Sequence, residues 1–301
     1  MAKPKLTDRQ WALERHRYRA EPGGPFLPSV TSVVDVATDK GGMIYAASEV
    51  TARLLLTPPR TFKAWATEER ERLLATRGGT EWAIAKRELG RTGSDLDVLV
   101  SWARRQHDVQ WKMKADRGTR VHEVAALWAA GREAEVEGDL QGYVDALEAF
   151  RRDHRMTTLL SEIPVANLEF GYGGRPDEIA RTEVAGHPAT FLVDYKTGGH
   201  YPFDLALQMV GYWHAEQILW DLDGAVMGLK PLPYLDGAIG VYLHDDGTYD
   251  LHNPFEHIPL EVAREAFYSA LNVLNTRREH EKAIKAAAKA GAGGDTDDDD
   301  D

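Results

Sequence analysis

Asp194, Tyr195 and Lys196 end a largely apolar run, Ala189-Thr190-Phe191-Leu192-Val193, and Thr197-Gly198-Gly199 follows. Read as a strand, the run sets Asp194 and Lys196 on one face and Phe191, Val193 and Tyr195 on the other. A carboxylate and an ammonium held side by side where a buried strand emerges suit a divalent cation and an attacking water. Taken alone, Asp-x-Lys also describes an ordinary surface ion pair. Asp177 follows Gly173-Gly174-Arg175-Pro176 and opens another apolar stretch, expected to pair antiparallel with 189–196. Two carboxylates on neighbouring strands can share an oxygen-loving ion such as Mg²⁺ or Mn²⁺. A lone turn aspartate more simply caps its own backbone.

Three further residues have chemistry at useful positions. In Arg117-Gly118-Thr119-Arg120-Val121-His122-Glu123, Thr119 reads as a helix N-cap and His122 falls in the first turn; a surface histidine is the plainer reading. Gln208 and Tyr212 are spaced i, i+4 in an apolar helix and share a face, where packing with Leu205, Met209 and Trp213 would also explain them. On the approach to His122, Arg104, Arg105, Lys112, Lys114, Arg117 and Arg120 outnumber Asp108 and Asp116, making the best basic patch in the chain.

The elements that must position these residues follow from apolar periodicity and from Gly and Pro punctuation. Residues 1–25 form a basic arm, with a short helix over 7–18 that ends before Pro22-Gly23-Gly24-Pro25. Residues 26–115 are mostly helical: one run ends at Leu55 before Pro58-Pro59, and others lie at 62–76, 79–89 and 94–115. Residues 116–290 hold the chemistry. Helical turns at 137–153 precede a strand tendency from Glu162 to Phe170, a strand over 189–196, a helix from Asp204 to Trp220, strands at Gly237 to Leu243 and Tyr249 to Leu251, and a last helix over 258–290. Ala263, Ala266, Phe267, Ala270, Leu271 and Leu274 line one face of that helix. The order is helix, three strands, helix, one or two strands, an α/β (α+β) arrangement. Residues 291–301 have nothing to bury and are expected to be a disordered acidic tail.

Composition narrows the function classes. With 301 residues, 43% apolar and 28% charged, the chain can bury a sizeable core. Its net charge is −12, but six of the last seven residues are Asp, and without them the charge is −6. General clamping to DNA by net charge is excluded; a local basic groove is not. The absence of cysteine excludes disulfides, thiolate chemistry and cysteine-ligated zinc or iron–sulfur clusters. Residues 1–6 carry no signal-type apolar core and no stretch reads as a membrane span, so a cytoplasmic protein with no membrane partner is expected.

In their order, these elements resemble the RecB-like branch of the PD-(D/E)xK nuclease superfamily: a helical His122, Gly174 to Asp177, Asp194 to Lys196 ending a strand, then Gln208 with Tyr212 on a helix. Leu27-Pro28-Ser29-Val30-Thr31-Ser32-Val33 also resembles the N-terminus of the single-domain exonucleases of this branch, which are common in bacteriophage genomes. The resemblance covers roughly 27–245. It implies a restriction-endonuclease-like mixed sheet flanked by helices, with an N-terminal helical region. It further implies that Asp177 and Asp194 are carboxylate ligands of Mg²⁺ or Mn²⁺, that the Tyr195 carbonyl and His122 complete the set, and that Lys196 orients or activates water. Gln208 and Tyr212 would hold the substrate strand or the site's loop, and Glu162, often acidic in relatives, would support the site or a second ion. Many members pin their ends with four cysteines on an iron–sulfur cluster; this chain has none, so no such cluster is expected. The implied activity is metal-assisted phosphodiester hydrolysis by a DNA exonuclease in phage replication or recombination. A structure-directed endonuclease and a non-catalytic nucleic-acid-binding protein on the same fold are the alternatives. DNA is the expected partner, reached through the basic residues before His122, with Arg152 and Arg155 as additions. Trp82, Trp102 and Trp111 suit core packing better than base stacking. The acidic tail is a candidate contact for a replication or recombination protein.

Overall fold

The computed structural model describes residues 17–21, 24–38, 115–199, 201–219 and 229–291. The chain divides into two units, Met1–Thr38 with Gly118–Asp301, and Asp39–Arg117. The second unit lies almost entirely outside the described residues, as do the expected helices up to residue 114 and the acidic tail. Residues 26–38 belong to the first unit.

In chain order that unit starts with a ribbon of β1 (Tyr18–Arg19) and β2 (Phe26–Leu27) and helix α1 (Val30–Ala37). Tyr18, placed by periodicity at the end of a helix, is therefore in a strand. Helix α2 (115–129) and α3 (Gln141–Asp153) precede β3 (Thr157–Ser161), β4 (Val165–Asn167), β5 (Tyr172–Gly174), β6 (Glu178–Val184) and β7 (His187–Lys196). Helix α4 (Pro202–Trp213) leads to β8 (Gln217–Ile218) and β9 (Lys230–Pro231), and β10 (Gly237–Leu243), β11 (Tyr249–His252) and α5 (Leu260–Gly291) complete the order.

The central sheet runs β11-β10-β7-β6-β3. A two-residue turn, Ala185-Gly186, joins β6 to β7; both residues have positive φ (51° and 80°), the conformation whose twist matches paired strands. The register sets Glu178 opposite Val193. β10 runs parallel to β7, with Asp194 beside Gly240 and Lys196 beside Tyr242. This parallel step requires a crossover, and α4 supplies it. The result is a mixed α+β fold with helices flanking a multistranded sheet.

Alternation along β7 sends its side chains into two different cores. Leu192 joins Val30, Val33, Leu205, Met209, Phe267 and Leu271 under α1, α4 and α5. Val193 and Tyr195 join Val121, Val124, Leu147 and Phe150 under α2 and α3. A strand covered on both faces reads as a continuous apolar run, which is why 189–193 carries little polar alternation.

Three elements depart from the sequence pattern for local reasons. The strand expected to reach Phe170 stops at Asn167, whose Oδ1 accepts the Phe170 N–H (2.9 Å) and whose carbonyl accepts that of Gly171 (3.0 Å). Helix α4 stops at Trp213, not Trp220; Glu216 turns to φ 66° and the chain enters β8. Thr119 is no N-cap, because the helix already runs at residue 115. Among the described residues, no helix is long and apolar enough to cross a membrane.

Gly174 shows how closely the layers approach. A Cβ there would lie 2.5 Å from Cε1 of Tyr212 and 2.9 Å from Cγ2 of Val30. The adjacent Gly173 bridges to Ser29, whose hydroxyl caps α1. The glycine of the Gly-x-x-Asp element is thus where the Tyr212 ring rests. Gly174→Ala is expected to destabilise the fold by about 1–3 kcal/mol through overpacking, read as a lower thermal midpoint; an unchanged midpoint would contradict this contact.

Candidate metal centre

Four elements converge on the end of β7. Asp177 lies one residue before β6, and its Oδ2 accepts the Tyr195 N–H at 2.8 Å. Its carbonyl receives the Glu162 N–H (3.1 Å) and the Ser161 hydroxyl (3.2 Å), tying in the end of β3. From α2, His122 donates Nε2–H to the Tyr195 carbonyl at 2.9 Å, while Nδ1 faces Asp177 Oδ1 at 3.2 Å and Glu162 Oε1 at 3.9 Å. Arg175 Nε pairs with Glu162 Oε2 at 2.7 Å. Glu162 itself has φ 53°, a conformation a β-carbon disfavours and one concentrated at functional sites.

The second half of the site is a clamp on Lys196. Its Nζ lies 2.5 Å from Asp194 Oδ2 and donates to Gln208 Oε1 at 3.0 Å, while Gln208 Nε2 donates to Asp194 Oδ1 at 2.8 Å. An ammonium only donates and a carboxylate only accepts, so the amide of Gln208 has a single orientation that satisfies both. Tyr212 stands one turn along α4, its hydroxyl 3.5 Å from Gln208 Nε2. The Asp194 side chain is 1% exposed, whereas Lys196 and His122 keep 30% and 28%. The cluster is closed at the Asp194 carboxylate and partly open at Lys196 and His122.

Burial of this many ionisable groups forces each to answer to the others. Burial opposes charge on His122, yet the charge and hydrogen bond of Asp177, with Asp194 beyond, hold the imidazole up at about 9. Burial would raise Asp177, but His122, Lys196 and the Tyr195 N–H outweigh it and keep that carboxyl below its usual range. Glu162 is lifted to about 7 by burial and by repulsion from Asp177, against Arg175 and His122. Burial lifts Asp194 to about 6, opposed by Lys196 and assisted by Asp177. Lys196 is held above its ordinary value because Asp194 and Asp177 overcome the effect of burial.

The donor set fits a divalent metal. Ligand atoms of His122, Glu162 and Asp177 all lie within 4.8 Å of one another. Donors sharing one ion at about 2.0–2.6 Å lie within about 5 Å of each other. A nitrogen with two carboxylates, and a backbone carbonyl at hand, suits a divalent ion, and the lack of cysteine leaves no ligands for a cysteine-held iron–sulfur cluster.

Compared with known proteins, the chain matches no family model and no curated protein sequence. The reading of the site therefore rests on its own geometry.

That geometry gathers His122, Asp177, Tyr195, Asp194, Lys196, Gln208 and Tyr212. Glu162 stands in the cluster with His122 and Asp177, and the carboxylate of Asp194 is held by Lys196 and Gln208. Glu162 was legible only as an acid in a suggestive place, and Arg175 had no role in the sequence reading. The one signal for Arg175 is its position between Gly174 and Asp177. Of the proposed DNA contacts, Arg104, Arg105, Lys112 and Lys114 lie outside the described residues, as do Trp82, Trp102 and Trp111. Arg117 lies on α2. Arg120 is engaged by Glu137 (2.6 Å) and Asp139 (3.0 Å), Arg152 by Asp153 (3.2 Å) and Arg155 by Glu183 (3.7 Å).

The raised His122 value has a direct consequence for stability. The folded protein holds this proton more tightly than the unfolded chain, so its stabilising effect is complete below about pH 6.5 and is lost as pH rises through about 9. In EDTA the thermal midpoint should fall across that window, and His122→Asn should flatten the fall. Parallel pH profiles for the two proteins would contradict the assignment.

Proposed function

We propose that this chain is a divalent-metal-dependent DNA exonuclease built on the restriction-endonuclease-like fold, in the RecB-like branch of the PD-(D/E)xK superfamily. The observation that carries the reading is the convergence of Asp177, Asp194 and Lys196 with His122 and Gln208 at one strand end. These residues come from separate parts of the sequence, and their types match the needs of phosphodiester hydrolysis. An accidental Asp-x-Lys pair would have no reason to meet a second carboxylate and an imidazole.

His122, Asp177 and Glu162, with the Tyr195 carbonyl, would hold Mg²⁺ or Mn²⁺, and Asp194 stands beside them. When bound, the ion supplies Lewis acidity, polarising the phosphoryl oxygen and making water acidic enough to attack at neutral pH. The remaining work falls to the chain. Lys196, fixed between Asp194 and Gln208, would present a compact ammonium that offsets negative charge building on the phosphate. Gln208 keeps that ammonium from folding back onto Asp194 alone, and Tyr212 backs the amide. Asp194 holds the charge of Lys196 in place at little cost in mobility, because neither partner can rotate away without leaving a buried group unpaired. DNA is the proposed substrate, and for Arg120 to meet a phosphate it would first have to exchange Glu137 and Asp139 for it.

The test is hydrolysis of end-labelled linear DNA, single- and double-stranded, in Mg²⁺ or Mn²⁺ and in EDTA, beside covalently closed circles. Progressive loss of linear DNA, abolished by EDTA, is expected. Lys196→Ala should lower the rate by about 10²–10³-fold, the usual loss on removing one transition-state donor, while leaving Mn²⁺ binding in place. Cutting of the circles would instead select an endonuclease. DNA binding without any cutting would select a non-catalytic binding protein.

A further inference from the structure

Behind the metal centre, on the opposite face of the sheet, lies a second polar cluster that the chemistry above does not use. Glu178 is 1% exposed. Its Oε2 accepts from Arg151 Nη1 (2.7 Å) and from the Tyr195 hydroxyl (2.6 Å), and its Oε1 accepts from the Thr158 hydroxyl (2.5 Å). Arg151 closes the loop by donating from Nη2 to Thr158 Oγ1 at 2.8 Å. The Tyr195 ring meets the edge of Phe150, centroids 6.2 Å apart. The cluster joins α3, β3, β6 and β7 through side chains alone.

Tyr195 belongs to both faces at once. Its side chain is held by Glu178, whereas its backbone N–H and carbonyl are bonded to Asp177 and His122. Glu178 is also the residue next to Asp177, so one buried carboxylate anchors the two backbone segments that carry the site. Such a cluster is a poor way to gain stability, since replacing buried ion pairs with apolar side chains is often neutral or stabilising. What it does supply is a fixed position: a hydroxyl held by a carboxylate that is itself held twice has one place to be.

We propose that Glu178, with Arg151 and Thr158, is a positioning residue for the metal centre, acting through the Tyr195 hydroxyl to hold the Tyr195 carbonyl and N–H in line with His122 and Asp177. The inference rests on the metal-centre reading above and names residues that reading does not include. It requires that Tyr195 matter through its hydroxyl, and not only through its ring or backbone.

Mn²⁺ affinity of the full chain, measured by electron paramagnetic resonance alongside the thermal midpoint in EDTA, tests this. Tyr195→Phe keeps the ring and its packing and leaves Glu178 two partners, so its midpoint should stay close to wild type. Its Mn²⁺ affinity should fall by about tenfold or more, the loss typical when a group supporting metal ligands is removed. Thr158→Val should give a smaller fall in the same direction, and combining it with Tyr195→Phe should add little, as for residues of one network. Wild-type binding with an unchanged Tyr195→Phe affinity would overturn the proposal. So would a loss of affinity matched by a collapse of the EDTA midpoint, which would make the hydroxyl merely structural. A wild type that binds no Mn²⁺ would remove the metal centre itself, and this inference with it.

Discussion

The hydrogen bond from the Tyr195 N–H to Asp177 Oδ2 joins the two strands at the point where their ladder ends. Register alone aligns Glu178 with Val193; beyond that pair, the strands would be free to splay. The bond holds Asp177 against the backbone of the very residue whose carbonyl faces His122, and so fixes the spacing of acid, carbonyl and imidazole together. It also supplies part of what keeps Asp177 ionised in a place where burial favours the neutral form. Asp194 and Lys196 inherit their positions from the same residue, being its two neighbours on β7. Their side chains face Gln208 because alternation along the strand turns them away from Tyr195.

The charges that meet there explain the protonation pattern. His122 is held up at about 9, Glu162 at about 7 and Asp194 at about 6. All three shifts favour holding a proton: the charges of Asp177 and Asp194 outweigh burial at His122, and burial together with Asp177 lifts the two carboxyls against Arg175 and Lys196. Metal ligands must shed their protons to bind, so a divalent ion and these protons compete for one set of donors. The raised values and the clustering of His122, Glu162 and Asp177 are thus two expressions of one fact: the fold has concentrated negative charge beside a histidine and has kept water from screening it.

Much of this was legible in the sequence, and the limits are physical. The strand Gly237–Leu243, the antiparallel pairing of the segments after Asp177 and before Lys196, and the shared face of Gln208 and Tyr212 all follow from local periodicity, which the tertiary structure leaves in place. The buried face of the last helix, with Ala263, Phe267, Ala270 and Leu271, follows likewise. The failures occur where a single backbone torsion or a side-chain contact decides. Nothing in the residue types announces that Asn167 will accept two backbone N–H groups and end a strand, or that Glu216 will turn to positive φ and end a helix early. Glu162 enters the metal cluster through another positive φ, and Arg175 is revealed only by the carboxylate it meets. Thr119 looked like a cap because capping chemistry is local, whereas the start of α2 is set further upstream.

The most direct measurement is diffraction from Mn²⁺-soaked crystals at a wavelength where manganese scatters anomalously. The account predicts one strong anomalous peak bounded by His122, Asp177, Glu162 and the Tyr195 carbonyl, lost in crystals of Asp177→Asn. A peak elsewhere on the molecule, or none at saturating Mn²⁺, would contradict it.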